Sequence, residues 1–287
     1  MRVMGTVPNP PTASRTGTTA ALPPHAADTP AIVMSGLRVD YRGHRAVVDV
    51  DLQIDAGTTV AIIGPNGSGK STLLSTISGL VRPSGGRIEV LGRPPRTVRR
   101  HVAHVLQTTV ANEAVPLTVR ETVTMGCYGR VGPFRPLRRT DRDLVEDAIE
   151  RMRIGDLLDR QLLELSGGQR QRAYVAQALA QQADVLLLDE PITGLDLVTQ
   201  ETITDVVEAE RARGATVVLT THDVGTAQLA DTAVLMATRI VAAGPPADVL
   251  TPDHLATAYG GHVHVLDDGT VVLDEAHHHD HRHHDQL

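Results

Sequence analysis

Residues 64–71 read GPNGSGKS, with Gly64, Gly69, Lys70 and Ser71 at the spacing of a phosphate-binding loop. Glycines let the backbone curl so that successive N–H groups point at phosphate oxygens, and the start of a following helix adds partial positive charge. Lys70 would reach the β- and γ-phosphates, and Ser71 would hold Mg²⁺. The segment therefore predicts a site for a nucleoside triphosphate. Its expected contact residues are Gly64, Pro65, Asn66, Gly67, Ser68, Gly69, Lys70, Ser71 and Thr72.

Two adjacent carboxylates end the apolar segment VLLLDE at residues 185–190. An acidic side chain at the end of a buried strand must be solvated or paired, because burying an isolated carboxylate is costly. We expect Asp189 to act on Mg²⁺, directly or through water, and Glu190 to serve as the base for an attacking water. The alternative is that the two carboxylates only terminate a strand.

The segment LSGGQRQR at residues 165–172 predicts a second helix start suited to an anion. Ser166 can cap the helix that continues through QRAYVAQALA, and the two glycines after it leave the first amides exposed. A single chain has no obvious need of two anion sites.

Buried strands and flanking helices must position these segments. TTVAIIG at 58–64 has the pattern of a strand buried on both faces, and KSTLLSTISGL from residue 70 predicts a helix whose apolar face runs from Leu73 to Leu80. Strands that alternate with helices indicate an α/β fold around a mostly parallel sheet. The other strand-like segments are GRIEVLG (86–92), HVAHVLQ (101–107), DVLLLDE (184–190), ATVVLTTH (215–222) and TAVLMATRIVAAG (232–244).

Composition divides the chain into regions. Residues 1–30, rich in Pro, Thr and Ala, predict a disordered extension. The α/β domain is expected over 31–252, with a helix-like segment at about 112–164 inserted into it. Residues 253–275 include HVHVLDDGTVVLDE, which predicts a β-hairpin about DDG, and residues 276–287 predict a disordered His-rich tail.

Composition also argues against several classes of function. Aromatic residues make up 2% of the 287 residues and the net charge is −7 with His neutral, and both are unfavourable for binding nucleic acid. The single cysteine, Cys127, excludes an internal disulfide and fits a reducing compartment. No stretch approaches 18 consecutive apolar residues, so we expect no membrane span.

In their order along the chain, these motifs resemble those of the nucleotide-binding subunit of ABC transporters, over about residues 32–250. The resemblance implies a phosphate-loop NTPase fold of the ABC type, with an antiparallel β subdomain and the inserted helical subdomain beside the mostly parallel sheet. It also implies an ATPase that works as a head-to-tail homodimer, on the cytoplasmic face of the cell membrane, under polytopic permease subunits.

The resemblance further implies roles for individual residues. LSGGQ corresponds to the family signature, so Ser166, Gly167, Gly168 and Gln169 would close over the γ-phosphate held by the other protomer. The remaining implied roles are stacking on adenine by Tyr41, sensing of Mg²⁺ and water by Gln107, a cross-dimer loop at Asp196, and contact with the γ-phosphate together with positioning of Glu190 by His222.

Two segments bear on the transported species. PLTVRETVTMGCYGR (116–130) and ATAYGG (256–261) are similar to segments of cassettes that energise zinc and manganese import, and siderophore and haem importers share part of them. Cys127 departs from this pattern, because Arg is expected in its place, and we predict it on a solvent-facing loop. We therefore expect a divalent-metal importer, with an extracytoplasmic metal-binding protein as an indirect partner.

Histidines are concentrated near the C-terminus. His262 and His264 would share one face of a strand, a spacing that suits metal ligation. Imidazole suits Zn²⁺ whereas Mn²⁺ prefers oxygen ligands, so the histidines favour zinc. Two interpretations of the tail stay open: a zinc buffer or sensor, and a solvated segment that binds metal incidentally. The candidate zinc ligands are His262, His264, His277, His278, His279, His281, His283 and His284.

Other interpretations compete with this one. The transported species could be manganese or an iron–siderophore or haem complex. In a different class, a soluble ABC ATPase would act on DNA or ribosomes, but such proteins usually carry a coiled-coil insertion or two tandem cassettes, and neither is present. His101 and His104, on opposite sides of the 101–107 strand, would not share a metal and are interpreted as structural.

Overall fold

The computed structural model describes residues 29–41, 43–107, 116–132, 135–260, 263–265 and 271–273, the last two stretches and Tyr41 by their backbone only. The described strands are β1 (Pro30–Tyr41), β2 (His44–Asp55), β3 (Thr59–Ile63), β4 (Gly85–Val90), β5 (Val102–Val105), β6 (Val185–Leu188), β7 (Thr216–Thr221), β8 (Thr232–Ala237), β9 (Arg239–Gly244), β10 (Val263–Val265) and β11 (Val271–Leu273). The described α-helices are α1 (Lys70–Ile77), α2 (Val119–Met125), α3 (Tyr128–Val131), α4 (Arg139–Arg151), α5 (Gly167–Ala180), α6 (Leu197–Ala212), α7 (Val224–Gln228), α8 (Pro246–Val249) and α9 (Pro252–Tyr259).

The central sheet has the strand order β5-β6-β7-β3-β8-β9. The first five strands are parallel to one another, and β9 pairs antiparallel with β8 at the edge. Every residue of β3, β6 and β7 is buried, as expected for strands covered on both faces. The predicted α/β class with a mostly parallel sheet is confirmed.

A second sheet, β2-β1-β4, is antiparallel. Alternate residues of β2 are buried, which is the pattern of a strand with one solvated face. The buried face packs in one apolar cluster with Leu73, Leu74 and Ile77 of α1 and with Val60 and Ile62 of the central sheet. The helix that follows the phosphate loop is therefore held between two sheets.

Helices α2, α3 and α4 lie between β5 and α5 in the chain, in the region where the helical insertion is predicted. We call residues 116–164 the helical insertion. Thr118 caps α2 in a reciprocal capping box with Glu121, and the bonds from Thr118 lower the pKa of that glutamate. A Cβ added at Gly126 would lie 2.0 Å from the carbonyl oxygen of Gln177, so only glycine permits this approach of α2 to α5.

Two predicted elements have different bounds. Helix α1 ends at Ile77 rather than reaching Leu80, whose side chain is 58% exposed. The segment 232–244, predicted as one strand-like run, folds as two antiparallel strands that reverse at Thr238, a residue with φ of +60°. Thr238 and Arg239 interrupt the apolar pattern at this point, and this break was the available signal for the reversal.

The expectation of a solvent-facing Cys127 is wrong. Its side chain is fully buried, and the thiol donates to the carbonyl oxygens of Asp141 and Ala180 at 3.5 and 3.6 Å. Burial raises the pKa of the thiol. A small apolar side chain fits this junction of α3, α4 and α5, where a buried arginine would need a charged partner.

The hairpin predicted near the C-terminus falls partly within the described residues. Strands β10 and β11 pair antiparallel, with Val263 opposite Leu273 and Val265 opposite Val271. The predicted extension at 1–30 and the tail at 276–287 lie outside the described residues, apart from residues 29 and 30. No helix in the described part of the chain is long and apolar enough to span a membrane.

His101 and His104 contact different partners, as expected of structural histidines. His101 ends a 3₁₀ turn (Arg99–His101), because β5 begins only at Val102, and its Nδ1 lies 2.7 Å from a carboxylate oxygen of Asp184. His104 lies on β5, with Nδ1 3.1 Å from the hydroxyl oxygen of Ser78.

Burial of His104 should make the stability of the fold depend on pH. Desolvation lowers its pKa from 6.5 to about 4, against a smaller opposing effect of Asp189. Between pH 6.5 and pH 4 the imidazole is therefore protonated in the unfolded chain and neutral in the folded chain. The free energy of unfolding falls as the pH falls through this range. From pH 7 to pH 5 we expect a loss of about 2 kcal/mol in urea unfolding. In His104→Gln this loss should largely vanish; an unchanged pH dependence would contradict the assignment.

Candidate functional site

The loop between β3 and α1 has no room for side chains at two of its glycines. A Cβ at Gly64 would lie 2.0 Å from the carbonyl oxygen of Met236, and one at Gly69 would lie 2.2 Å from that of Ala46. Gly69 also has φ of +98°, in the region that favours glycine. Strands β8 and β2 therefore clamp the loop in a fixed shape, which holds the first amides of α1 ready for an anion.

Lys70 begins α1 and turns back over the loop. Its Nζ donates to the carbonyl oxygens of Gly64 and Pro65 at 2.7 and 3.2 Å, and the residue is 5% exposed. It is the only lysine in the chain. The loop and this ammonium group together have the chemistry required to hold a polyphosphate, as the sequence predicts.

Ser71 and Asp189 meet at the C-terminal edge of the central sheet. The hydroxyl of Ser71 donates to Oδ1 of Asp189 at 3.1 Å, and Asp189 is 3% exposed. A hydroxyl beside a carboxylate supplies the hard oxygen ligands that Mg²⁺ prefers, so the residues present fit this cation. The sequence therefore identified the two residues that the fold brings together.

Thr220 is a member of this site that the sequence analysis missed. Its hydroxyl donates to Oδ1 of Asp189 at 2.6 Å and accepts from the backbone N–H of Glu190 at 2.9 Å. It lies near the end of β7, two residues before His222, which directly follows the strand. This spacing was the available signal. Thr220 fixes both carboxylate-bearing residues to the neighbouring strand.

Two predicted site residues, Gln107 and His222, converge on Glu190. Gln107 donates from Nε2 to Oε2 of Glu190 at 2.9 Å, and Nδ1 of His222 lies 3.9 Å from the same oxygen. Glu190 has φ of +47°, an uncommon conformation for a residue other than glycine, and its side chain is 10% exposed. A carboxylate oriented in this way, next to a polyphosphate site, can accept a proton from a bound water.

The segment LSGGQ starts α5 as predicted. Ser166 accepts from the backbone N–H of Gln169 at 3.3 Å, and the Gln169 side chain accepts from the backbone N–H of Ser166 at 3.1 Å. This reciprocal capping box holds Gly167 and Gly168 in the first turn, with Gly167 exposed. The first turn therefore presents its amides at the protein surface.

Asp196 lies beside that first turn. It caps α6 by accepting from the backbone N–H and hydroxyl of Thr199 at 3.0 and 2.9 Å, and these bonds lower the pKa of its carboxyl group. A Cβ added at Gly168 would lie 3.1 Å from Oδ2 of Asp196. The signature segment and the loop at Asp196 thus form one continuous surface.

The remaining candidates lie at the limit of the described residues. Tyr41 is the last residue of β1 and pairs with His44 of β2; only its backbone is among the described parts of the structure. Of the candidate zinc ligands, only the backbone of His264 is described, in β10; His262 and the histidines from 277 onwards are not. Within the described residues, no group of three or more His, Cys, Asp or Glu side chains could hold a metal ion.

Comparison with known proteins identifies the family. The family model described as ABC transporter matches residues 47–193, about half of the chain, including the phosphate loop, LSGGQ and both site carboxylates. The chain belongs to the ABC transporter family. The cassette is therefore an ATPase of the transport type that uses ATP and Mg²⁺, and the predicted fold type and enzyme class are confirmed.

Three relatives show which members of the family this cassette is similar to. It is 40% identical to the zinc transport system ATP-binding protein TroB of Treponema pallidum, over 81% of this chain and 88% of that protein. It is 37% identical to the chelated iron transport system membrane protein YfeB of Yersinia pestis, over 86% and 85%. It is 35% identical to the manganese transport system ATP-binding protein MntB of Bacillus subtilis, over 86% and 98%.

Solved structures agree with this assignment. A metal-chelate type ABC transporter in an inward-facing conformation matches with a TM-score of 0.70 and 27% identity, over 81% of this chain and 90% of that one. A component of the ABC transporter complex cbiONQ from Clostridium perfringens matches with a TM-score of 0.67 and 28% identity, over 79% and 93%. The cassette fold is thus shared along most of both chains.

Proposed function

We propose that this cassette is the ATP-hydrolysing subunit of an ABC importer for a divalent metal ion, with zinc as the first choice of metal. The observation that carries the proposal is the similarity, over more than four fifths of the chain, to relatives named for zinc, chelated iron and manganese transport. The manganese and iron-complex alternatives stand next, since their relatives are only slightly less similar. The cassette would lie on the cytoplasmic face of the cell membrane.

The geometry supports a separate role for each group of residues in the ATP site. The amides of 64–69 and Lys70 would bind the phosphates, and Glu190 would polarise the attacking water. Gln107 and His222 hold Glu190 from two sides, so we assign them to its orientation and to the γ-phosphate. Ser71 and Asp189, with Gln107, would hold Mg²⁺, which when bound neutralises charge developing on the phosphates. Tyr41 would stack on the adenine.

The surface formed by Ser166–Gln169 and Asp196 supports a second role. Capped amides on the protein surface suit an anion presented by another molecule. We assign this surface to the nucleotide held by a second copy of the chain, in a head-to-tail homodimer. Each of two composite sites would then combine residues 64–71 of one protomer with 166–169 of the other.

A groove beside Gln107 is the candidate docking site for a membrane permease subunit. It has a volume of about 660 Å³ and is lined by residues of β5, α2, α3 and α5, including Met125, Tyr174 and Gln177, and by Leu106, which follows β5. Leu106 and Met125 are 50% and 42% exposed, so the groove offers apolar surface for a partner. Because Gln107 touches both the groove and Glu190, a bound permease segment could sense the ATP site.

Co-expression tests this assignment. The cassette should co-purify with a polytopic membrane subunit of a metal transporter when membranes are solubilised in detergent. Replacing Met125 with Glu should release it, because a carboxylate would then face the apolar groove. Leu163→Glu is the matched control, because Leu163 is exposed but does not line the groove, and this variant should keep the complex. Retention of the complex by Met125→Glu would contradict the proposed docking site.

Deleting residues 277–287 tests the zinc interpretation of the tail. We expect ATP hydrolysis to stay nearly unchanged and zinc binding by the isolated cassette to fall, because imidazole ligands would be lost. Isothermal titration with Zn²⁺ and Mn²⁺ measures both metals on both chains. If zinc binding survives the deletion, the His262→Ala and His264→Ala variants become the next ones to titrate.

A further inference from the structure

Glu210 is a buried carboxylate that the ATP site does not use. It lies in the last turn of α6, at the opposite end from the Asp196 cap, and its side chain is 3% exposed. Burying a carboxylate this deeply is costly unless it is paired or hydrogen-bonded. The partners of Glu210 therefore indicate what it does.

Two arginines from different parts of the fold hold Glu210. Nη2 of Arg151 lies 2.8 Å from Oε1, and Nη2 and Nε of Arg213 lie 2.6 and 3.0 Å from Oε2. Arg151 is the last residue of α4 in the helical insertion, whereas Arg213 directly follows α6. The carboxylate thus bridges the helical insertion and the core with one oxygen towards each.

On the core side, the contact continues to the strand that carries the site carboxylates. Arg213 donates from Nη2 to the carbonyl oxygen of Ala183 at 2.8 Å, two residues before β6 begins. Ala183 is 4% exposed, so this start of the strand is fixed in the core. Strand β6 leads directly to Asp189 and Glu190.

On the side of the helical insertion, the end of α4 is hydrogen-bonded to α5, the helix that begins with the LSGGQ segment. Arg172 of α5 donates from Nη1 to the carbonyl oxygens of Met152 and Arg153 at 3.3 and 3.0 Å, directly after Arg151. Helix α5 begins at the Ser166 cap, less than two turns before Arg172. The contacts of Glu210 therefore connect the start of β6 with the helix that presents the signature segment.

We propose that Glu210 is a positioning residue that fixes the helical insertion against the core and so orients residues 166–169 for ATP hydrolysis. This positioning role rests on the proposed function, because it assumes that residues 166–169 act on nucleotide held by a second copy of the chain. Glu210 touches no residue of the 64–71 loop in the contacts described, so its charge should matter for turnover and not for the first binding of ATP.

The Glu210→Gln variant tests this role, because it keeps the size of the side chain and removes its charge. We expect ATP turnover to fall about tenfold, with ATP affinity of the full chain changed by less than about twofold. In hydrogen exchange without nucleotide, the amides of α4 should exchange faster while those of β6 stay protected. Combining Glu210→Gln with Arg151→Met should add little, because the shared interaction is already lost.

The pair Arg120–Glu146 offers a matched control. It is an ion pair of 2.9 Å inside the helical insertion, with Glu146 61% exposed. Exposed ion pairs contribute little to stability, so Glu146→Gln should leave ATP turnover and the hydrogen exchange of α4 unchanged.

Three outcomes would overturn the proposal. Unchanged turnover in Glu210→Gln contradicts a positioning role, and unchanged α4 exchange contradicts the fixed contact itself. Weaker ATP binding with faster exchange throughout the core would show that Glu210 serves only general stability. The failure of the wild-type chain to form an ATP-dependent dimer is a separate result, which contradicts the proposed function and leaves the exchange measurement valid.

Discussion

Replacing Glu190 with Gln should lower ATP hydrolysis by about a thousandfold and leave ATP bound. The amide has nearly the same shape, and its oxygen can still accept from Gln107, so the site should keep its geometry. What it loses is the ability to take a proton from water. If Ser166–Gln169 act across a dimer, the variant should also accumulate as an ATP-bound dimer. Single-turnover hydrolysis and size-exclusion chromatography with MgATP measure the two effects.

The control for this variant is Glu208→Gln. Glu208 is an exposed carboxylate on α6, and its replacement should change neither hydrolysis nor dimerisation. Near-normal turnover in Glu190→Gln would contradict the assignment of Glu190 as the base. It would then be necessary to look for another proton acceptor near the loop, such as His222.

The second large effect is expected for Lys70→Ala, which should weaken ATP binding itself by about a hundredfold. A buried charge that pairs with phosphate is typically costly to remove. Because Lys70 is the only lysine, no neighbouring ammonium group can substitute for it. Isothermal titration with MgATP measures the loss, and thermal unfolding checks that the variant is folded, since Gly64 and Pro65 lose the donor to their carbonyl oxygens.

A matched control for Lys70→Ala is Arg82→Ala, which removes an exposed cation beyond the same helix. Its ATP affinity should equal that of the wild type. An unchanged affinity in Lys70→Ala, with the fold intact, would show that the loop amides alone hold the phosphates.

Local sequence signals predicted the parts of the site that depend on nearby residues. The strand–loop–helix around Lys70 and the cap at Ser166 both follow from residue types a few positions apart. The convergence of Gln107 and His222 on Glu190 was implied by the family resemblance rather than by spacing, and the structure places them together.

The features that escaped prediction depend on contacts between distant segments. Cys127 is buried because Asp141 and Ala180 come to it from other helices. The reversal at Thr238 is marked only by Thr238 and Arg239 within a mostly apolar segment. The partners of Glu210 lie 59 residues before it and three after, and an acidic residue in a charged helix gives no sign of burial. Only the folded chain brings these groups together.

The central claim is that this ATPase energises import of a divalent metal. Its most direct test is ATP hydrolysis by the complete transporter in lipid vesicles, with the extracytoplasmic metal-binding protein, here called the capture protein, loaded in turn with Zn²⁺, Mn²⁺ or an iron–siderophore. We predict that the Zn²⁺-loaded protein stimulates hydrolysis most strongly and that metal enters the vesicle interior from the capture-protein side only with an intact Glu190. Stimulation by the iron–siderophore alone, or by none of the three, would contradict the claim.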